Sequence, residues 1–395
     1  MSNIRAASFD EALELYTSKY GPIPTNLAGA APYMFGADDA PAGYYARSDV
    51  GERNTIDGRP FSVIWSDFQT RLNVFNRTTD GFIAMVGFPV TVTNDRVSIP
   101  RRAKMEKATE FGQPALIRTE RVARGYYLDH YDLGFGFTQE FLDDADNSEI
   151  QAIRILAEDA WGRVRRQNAL ELLFLSSNFT DSKEGINVKR LYNADGEVPP
   201  DYEGYTFDGT HTHYLYSAGT AFAVADLNAM ELSLLEHGYG DNSMYGAGGG
   251  LTLHGNRAAV AKIRAMTGFI PAASGQIAEI LPESGVVVGQ RASGQGMPVE
   301  GTINRWAVVE NAAIPDGYLL GLASGGEYAT QNPVGIREHA NPSARGLRLN
   351  AGRNDYPLMD AFYDGYVGGG VRHRGAAVVM YEDTGTGSAY VDPTF

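Results

Sequence analysis

His211 and His213 stand in the run Thr-His-Thr-His-Tyr at residues 210–214. Side chains alternate across a strand, so two histidines at this spacing share a face and could supply two ligands to a metal ion. No third ligand is identifiable nearby, and the other five histidines are scattered along the chain. The run "DDADNSE" (143–149) offers oxygen ligands of the calcium kind, but Glu149 stands where a calcium loop needs glycine. A helix cap explains these acids better. Gly246–Gly250, "GAGGG", precedes a predicted strand, whereas phosphate-cradling loops follow a strand and open a helix. "GLASGG" puts Ser324 among glycines without the spacing of a nucleophile elbow, and it reads as a turn. Among 48 acidic residues nothing selects a catalytic pair. The reading is no catalytic residue, no metal and no cofactor.

The residues that do stand out are cations. Between Asp95 and Gly125 there are eight bases (Arg96, Arg101, Arg102, Lys104, Lys107, Arg118, Arg121, Arg124) against four acids. This segment has a net charge of +4 inside a chain whose formal net charge is −15. The overall balance argues against a dedicated nucleic-acid binder, since affinity for phosphate backbones needs clustered Lys and Arg. Polar flanks joined at Gly112–Pro114 predict a two-stranded ribbon, which is marginal alone in water. It reads either as a solvated loop or as a ribbon docked on the acidic surface of an identical neighbour, a heterologous contact that makes rings when repeated with a closing rotation.

Other bounds come from composition. The 395 residues suffice for more than one compact unit. There is no cysteine, which removes disulfides, thiolate metal sites and cysteine nucleophiles, and fits a reducing compartment. No run of eighteen apolar residues predicts a membrane span, and "MSNIRAASFDEALELY" lacks a secretory pattern.

The elements that must position the ribbon follow from periodicity. Helices are predicted at Phe9–Tyr20 and Ser62–Phe75, the second on the spacing of Val63, Phe68, Leu72 and Phe75. Between them runs an extended arm whose Phe35, Tyr44 and Tyr45 are expected to dock on something. Ile83–Val92 reads as a strand that Pro89 pushes to an edge. "YDLGFGFT" alternates, with Tyr131, Leu133, Phe135 and Phe137 on one side. A long helix is predicted over Ser148–Phe174, with Ser148 and Gln151 at capping-box spacing. Lys183–Thr220 reads as polar loop. An α/β pattern follows: helix Ala225–Glu236, strand Leu251–His254 and helix Asn256–Met266. Two short strands are then expected around Pro315-Asp316-Gly317, with a last strand at Ala376–Tyr381.

This order of elements resembles the tailed-bacteriophage major capsid proteins of the Hong Kong 97 type. The run from Tyr131 to Leu173 is similar to that family's strand entering its spine helix. "GLTLHGNRAAVAKIRAM" looks like its axial-domain strand and helix, and "WAVVENAAIPDGYLLGL" resembles its hairpin around a Pro-Gly turn. The resemblance covers about residues 60 to 385. It implies an α+β fold with an N-terminal arm and first strand (1–94) and an extended E-loop (95–134). A peripheral domain with a spine helix would comprise 135–215 and 325–372, and an axial domain 216–324 and 373–395. It further implies self-assembly through hexamers and pentamers into an icosahedral shell enclosing phage double-stranded DNA, packaged without specific binding. Inter-subunit contact would fall to Arg101, Arg102, Lys104, Lys107, Arg118, Arg121 and Arg124. No long charged helical segment precedes the arm, so a separate scaffolding protein is expected, with a portal and decoration proteins as further partners. The expected place is the virion, assembled in the bacterial host cytoplasm, with no membrane.

Two other readings stand beside this one. An encapsulin-type nanocompartment shares the fold and stores cargo enzyme, and the contents of purified particles separate the two. A hydrolase-like or metal enzyme built on His211 and His213 would instead elute as a small monomer with stoichiometric metal. Some family members weld their subunits through a Lys–Asn bond. Here the return strand Ala115–Ala123 has no lysine, and no matching Asn and Glu can be placed, which leaves Lys104 the least unsuitable donor. The shell is therefore expected to be non-covalent. Denaturing electrophoresis of particles should give one band at the 42.8 kDa monomer mass and no ladder above it.

Overall fold

The computed structural model describes residues 58, 61–78, 80–100, 107, 119–202, 204–217, 219, 221–240, 250–272, 278–280, 287–288, 297–355, 358–383 and 389–395. The helix expected at Phe9–Tyr20, the arm with Phe35, Tyr44 and Tyr45, the Gly112–Pro114 turn and residues 246–249 of the glycine run lie outside them. Helix α1 (Phe61–Phe75) is followed by α2 (Gly81–Val86) and strands β1 (Gly87–Val90), β2 (Asn94–Pro100), β3 (Thr119–Gly125) and β4 (Asp129–Thr138). Helices α3 (Gln139–Asp144) and α4 (Asn147–Phe174) come next. Then come β5 (Phe179–Asp181), β6 (Ile186–Val188), β7 (Tyr214–Tyr216), α5 (Val224–Leu235), β8 (Leu251–Gly255) and α6 (Arg257–Arg264). The remaining strands are β9 (Ile270–Pro271), β10 (Ala278–Ile280), β11 (Val287–Val288), β12 (Met297–Ile303) and β13 (Trp306–Glu310). They continue with β14 (Tyr318–Ala323), β15 (Val334–Arg337), β16 (Leu347–Asp355), β17 (Leu358–Val371) and β18 (Ala377–Tyr381). The class is α+β, as expected.

The chain divides into two compact units. The smaller comprises Met1–Arg71, Phe135–Arg154 and Gly352–Asp360. Within it Ile64 and Phe68 are buried on α1, where Val63 faces outward against expectation. Phe137 stacks on Phe141, and Asp67 accepts a hydrogen bond from Gln151 at 3.1 Å. The start of α4 is capped by Asp146, whose Oδ1 accepts from the Glu149 amide at 2.9 Å and the Ser148 hydroxyl at 2.7 Å. Ser148 is thus a donor to the cap rather than the cap itself. The carboxylate two residues upstream outcompetes it for the free amides and suits the positive helix end.

The larger unit is built on a nine-stranded sheet in the order β11-β10-β12-β13-β8-β14-β18-β7, with β9 paired to β12. Its central strands are buried on both faces, which is why "YLLGLA" and "AVVMY" read as continuous apolar runs instead of alternating. One face packs Leu253, Trp306, Val308, Leu319 and Val378 against Leu227, Met230 and Leu234 of α5 and Val260 and Ile263 of α6. The opposite face packs Leu320, Leu322 and Val379 against Leu170, Leu173 and Phe174 at the end of α4 and Phe82, Ile83 and Val86 of α2. Trp306 is wholly buried and donates Nε1–H to the Leu227 carbonyl at 3.1 Å. A five-stranded sheet runs β1-β15-β17-β16, with β4 paired to β17.

Three local readings change. Ile83–Val92 is helix α2 followed by the short β1, because Asp80 caps the amides of Phe82 and Ile83 and starts a helical turn. Pro89 does sit on an edge strand. The strands around Pro315-Asp316-Gly317 are not a hairpin, since β8 lies between them, parallel to β13 and antiparallel to β14. The segment Lys183–Thr220, read as loop, contributes β6, which pairs with β5, and edge strand β7.

Asn332 joins the pieces around Ser324. It is fully buried, and its Nδ2 donates to the carbonyls of Ala84, Gly87 and Gly326, each at 3.0 Å. Its Oδ1 accepts from the Gly325 amide at 3.0 Å and lies 3.1 Å from the Ser324 hydroxyl. Asn332→Ala strands these buried groups and should cost about 3 kcal/mol, measured by urea unfolding of the unassembled chain.

Candidate functional site

Strands β2 and β3 form a ribbon on their own, paired antiparallel from Asn94 opposite Gly125 to Pro100 opposite Thr119. Directly opposed residues share a face, so Arg96, Arg121 and Ala123 lie on one side and Asp95, Val97, Val122 and Arg124 on the other. Burial follows that division. Arg96, Arg121 and Ala123 are exposed, whereas Asp95, Val97 and Val122 are half-buried and Arg124 is 2% exposed. The ribbon therefore has an inner face and an outer, cationic one.

The inner face is rooted by charge. Arg124 makes a bidentate pair with Glu197, Nη1 at 2.9 Å from Oε2 and Nη2 on Oε1. Arg374, itself 1% exposed, donates Nη1–H to the same Glu197 Oε2 at 2.9 Å and to Asp195 Oδ1 at 3.1 Å. Its remaining donors reach the carbonyls of Arg190 at 2.7 Å and Leu191 at 3.0 Å, and Asn193 Oδ1 at 3.0 Å. Lys189 closes the set on Asp195. Burial pushes both carboxyls up, but the hydrogen bonds and charges of Lys189 and Arg374 hold Asp195 well below the usual carboxylate range. Those of Arg124 and Arg374 lower Glu197. A second guanidinium, Arg337, donates to the Tyr126 carbonyl and the Thr93 hydroxyl at 2.9 Å each and pairs with Glu184.

Backbone packing completes the root. Gly125 lies against Ile186 and Asn187, and Gly370 of β17 against the Gly125 carbonyl, so closely that a Cβ at either position would overlap its neighbour. Arg372 also holds Asp95 at 3.2 Å.

Of the seven cations expected at an inter-subunit contact, Arg101, Arg102, Lys104 and Arg118 lie outside the described residues. Lys107 and Arg121 are exposed. Arg124 departs from the expectation of a surface cation. Its guanidinium is taken up inside its own chain, because alternation turns it inward toward Glu197. Arg96, another of the ribbon's eight bases, lies opposite Ala123, which places it on the exposed face.

The histidines also differ from the sequence reading. His211 and His213 do converge, and His237, absent from that reading, joins them. It lies just beyond the C-terminal end of α5, 26 residues from His211, and no local spacing could reveal it. Ser324 is a turn residue, as read, with its hydroxyl bound to Asn332 and the Gly326 amide.

Arg124→Met leaves the half-buried Glu197 with one partner and should cost about 3 kcal/mol at neutral pH. Arg124 lowers the folded-state value of Glu197, so the stabilisation that the variant removes is fully present above the ordinary carboxyl value of 4.5 and is lost as pH falls below it. The difference between variant and wild type should therefore narrow on acidification, which urea unfolding from neutral to acid pH measures.

No protein-family model and no curated protein matches this sequence. Among solved structures, a chain from Mycobacterium phage Patience is 33% identical, with a TM-score of 0.61 over 90% of this chain and 97% of its own. The bacteriophage PhiM1 mature capsid is 10% identical at TM-score 0.46, over 77% of this chain and 87% of that one. The holo-SrpI encapsulin complex of Synechococcus elongatus PCC 7942 is 14% identical at TM-score 0.43, over 90% and 94%. Near-complete coverage at one-third identity in the first case decides the family. The chain belongs to the tailed-bacteriophage major capsid proteins, the Hong Kong 97-type family its sequence resembles, and is a structural shell protein rather than an enzyme.

Proposed function

We propose that this capsid protein self-assembles through hexamers and pentamers into an icosahedral shell enclosing phage double-stranded DNA. The exposed face of the β2–β3 ribbon, together with Arg101, Arg102, Lys104, Lys107 and Arg118, lies across an acidic neighbouring copy. The observation that carries this is the division between the ribbon's faces. One is held inside the chain by Arg124 and Arg374, and the other presents Arg96 and Arg121 outward in a chain of net charge −15. A rooted, one-sided cationic strip has opposite charge to the bulk of a second copy. Repetition over a lattice multiplies each weak contact.

On this reading residues 95–134 are the E-loop and α4 is the spine helix of a peripheral domain (135–215 and 325–372). Residues 216–324 and 373–395 form the axial domain, and 1–94 the arm and first strand. The central strands of the nine-stranded sheet support the axial assignment, since β8, β13, β14 and β18 all fall within those bounds. The DNA is contained without specific binding. A separate scaffolding protein, a portal and decoration proteins complete the particle, which is assembled in the host cytoplasm.

Arg96→Glu/Arg121→Glu reverses the outer face without touching the root. The variant should keep the wild-type circular dichroism and melting curve and yield at least tenfold fewer particles by sedimentation and negative-stain microscopy. Undiminished assembly would overturn the ribbon contact. Particles filled with protein instead of nuclease-resistant DNA would overturn the genome-container reading in favour of a cargo compartment.

A further inference from the structure

The three histidines brought together in the larger unit form a cluster that the shell role does not use. His211 Nε2 lies 2.9 Å from His237 Nε2 and 3.1 Å from His213 Nε2, and one ligand nitrogen from each ring lies within 4.8 Å of the others. His213 is fully buried and His237 nearly so, while His211 is half-buried.

Proton counting shows what this geometry demands. His213 Nδ1 sits 2.7 Å from the Ala377 carbonyl, which can only accept, so Nδ1 carries the proton and Nε2 presents a bare lone pair. If His211 Nε2 is protonated, its single proton must serve two nitrogens at once. If His237 Nε2 donates to His211 instead, the 3.1 Å contact between His211 and His213 sets lone pair against lone pair. No set of neutral rings gives both contacts a proton of their own. Charging a ring would place an imidazolium in a pocket where His213 is fully buried and His237 nearly so, which desolvation opposes. A cation between three lone pairs satisfies every contact.

We propose that His211, His213 and His237 form a mononuclear transition-metal site that takes Zn²⁺ through three neutral imidazoles, with the fourth position open toward solvent beside His211. Zn–N bonds of about 2.0–2.1 Å in a tetrahedron place ligand nitrogens about 3.3 Å apart, a few tenths of an ångström beyond the two spacings from His211 Nε2, while the His213–His237 pair lies within 4.8 Å. The bond from His213 Nδ1–H to Ala377 is the outer contact that fixes a ligand's tautomer and aims its lone pair. The walls are built for it. Phe207 and Tyr192 both stack on His237, with centroids 4.5 Å and 5.5 Å from its ring. The nearby Arg374 guanidinium is turned onto Asp195 and Glu197, and Asp208 acts on His211 with the opposite sign. The ion would tie the segment before β7 to the end of α5 and, through Ala377, to β18.

The test uses the untagged full-length chain, loaded with Zn²⁺ and passed through gel filtration before metal analysis. Wild type should retain about one zinc per chain, and His211→Ala and His237→Gln at least tenfold less while keeping the wild-type circular dichroism. Equal zinc in wild type and variants, or none in wild type, overturns the site. Should the variants not fold, Co²⁺ titration of wild type alone decides. Visible d–d bands of a four-coordinate site that saturate at one equivalent support it, and absence of saturable bands refutes it.

Discussion

Two guanidiniums sharing one half-buried carboxylate hold the ribbon to the body of the larger unit. A two-stranded ribbon buries too little to stand by itself, and here Arg124 joins its second strand to Glu197, which Arg374 also holds. Arg374 in turn satisfies the carbonyls of Arg190 and Leu191 and the side chain of Asn193, so the pairing is embedded in the chain's own backbone. Desolvating such a set is costly, and it persists because nearly every donor of Arg374 has an acceptor. The glycines at 125 and 370 let the backbones approach closely enough for these bonds to form.

That root rests on a sheet buried from both sides. Successive residues of β14 point to opposite cores, Leu319 toward α5 and α6 and Leu320 toward α2 and the end of α4. A strand in this position has no solvent face, so its polar content is low and its register is set by packing on both sides. Asn332 is the exception that suits the rule. It is a buried polar group whose amide is fully used in joining α2 and β1 to the turn after β14.

Charge is distributed with the same economy. An acidic chain pairs the inward Arg124, Arg337 and Arg374 with carboxylates and leaves Arg96 and Arg121 on an outer face. Paired and buried cations stabilise their own chain, while exposed ones remain available to a surface of the opposite sign. Alternation along a strand is enough to sort the two kinds, since neighbours one residue apart point to opposite sides.

Much of this was legible in the amino-acid order. The 28-residue helix, the α5–β8–α6 pattern and the last strand follow from local periodicity and capping, and the ribbon from its charge and polarity. Helix α2 was hidden inside an apolar run that fits a strand equally well, and only the Asp80 cap separates the two. The insertion of β8 between β13 and β14, the inward turn of Arg124 onto Glu197, and the meeting of His237 with His211 and His213 were not legible at all. Each joins residues far apart along the chain, and their proximity is decided by which strands pair and which faces pack. Local sequence determines what an element is and which of its sides is apolar, whereas the long-range packing of those sides decides what each side chain meets.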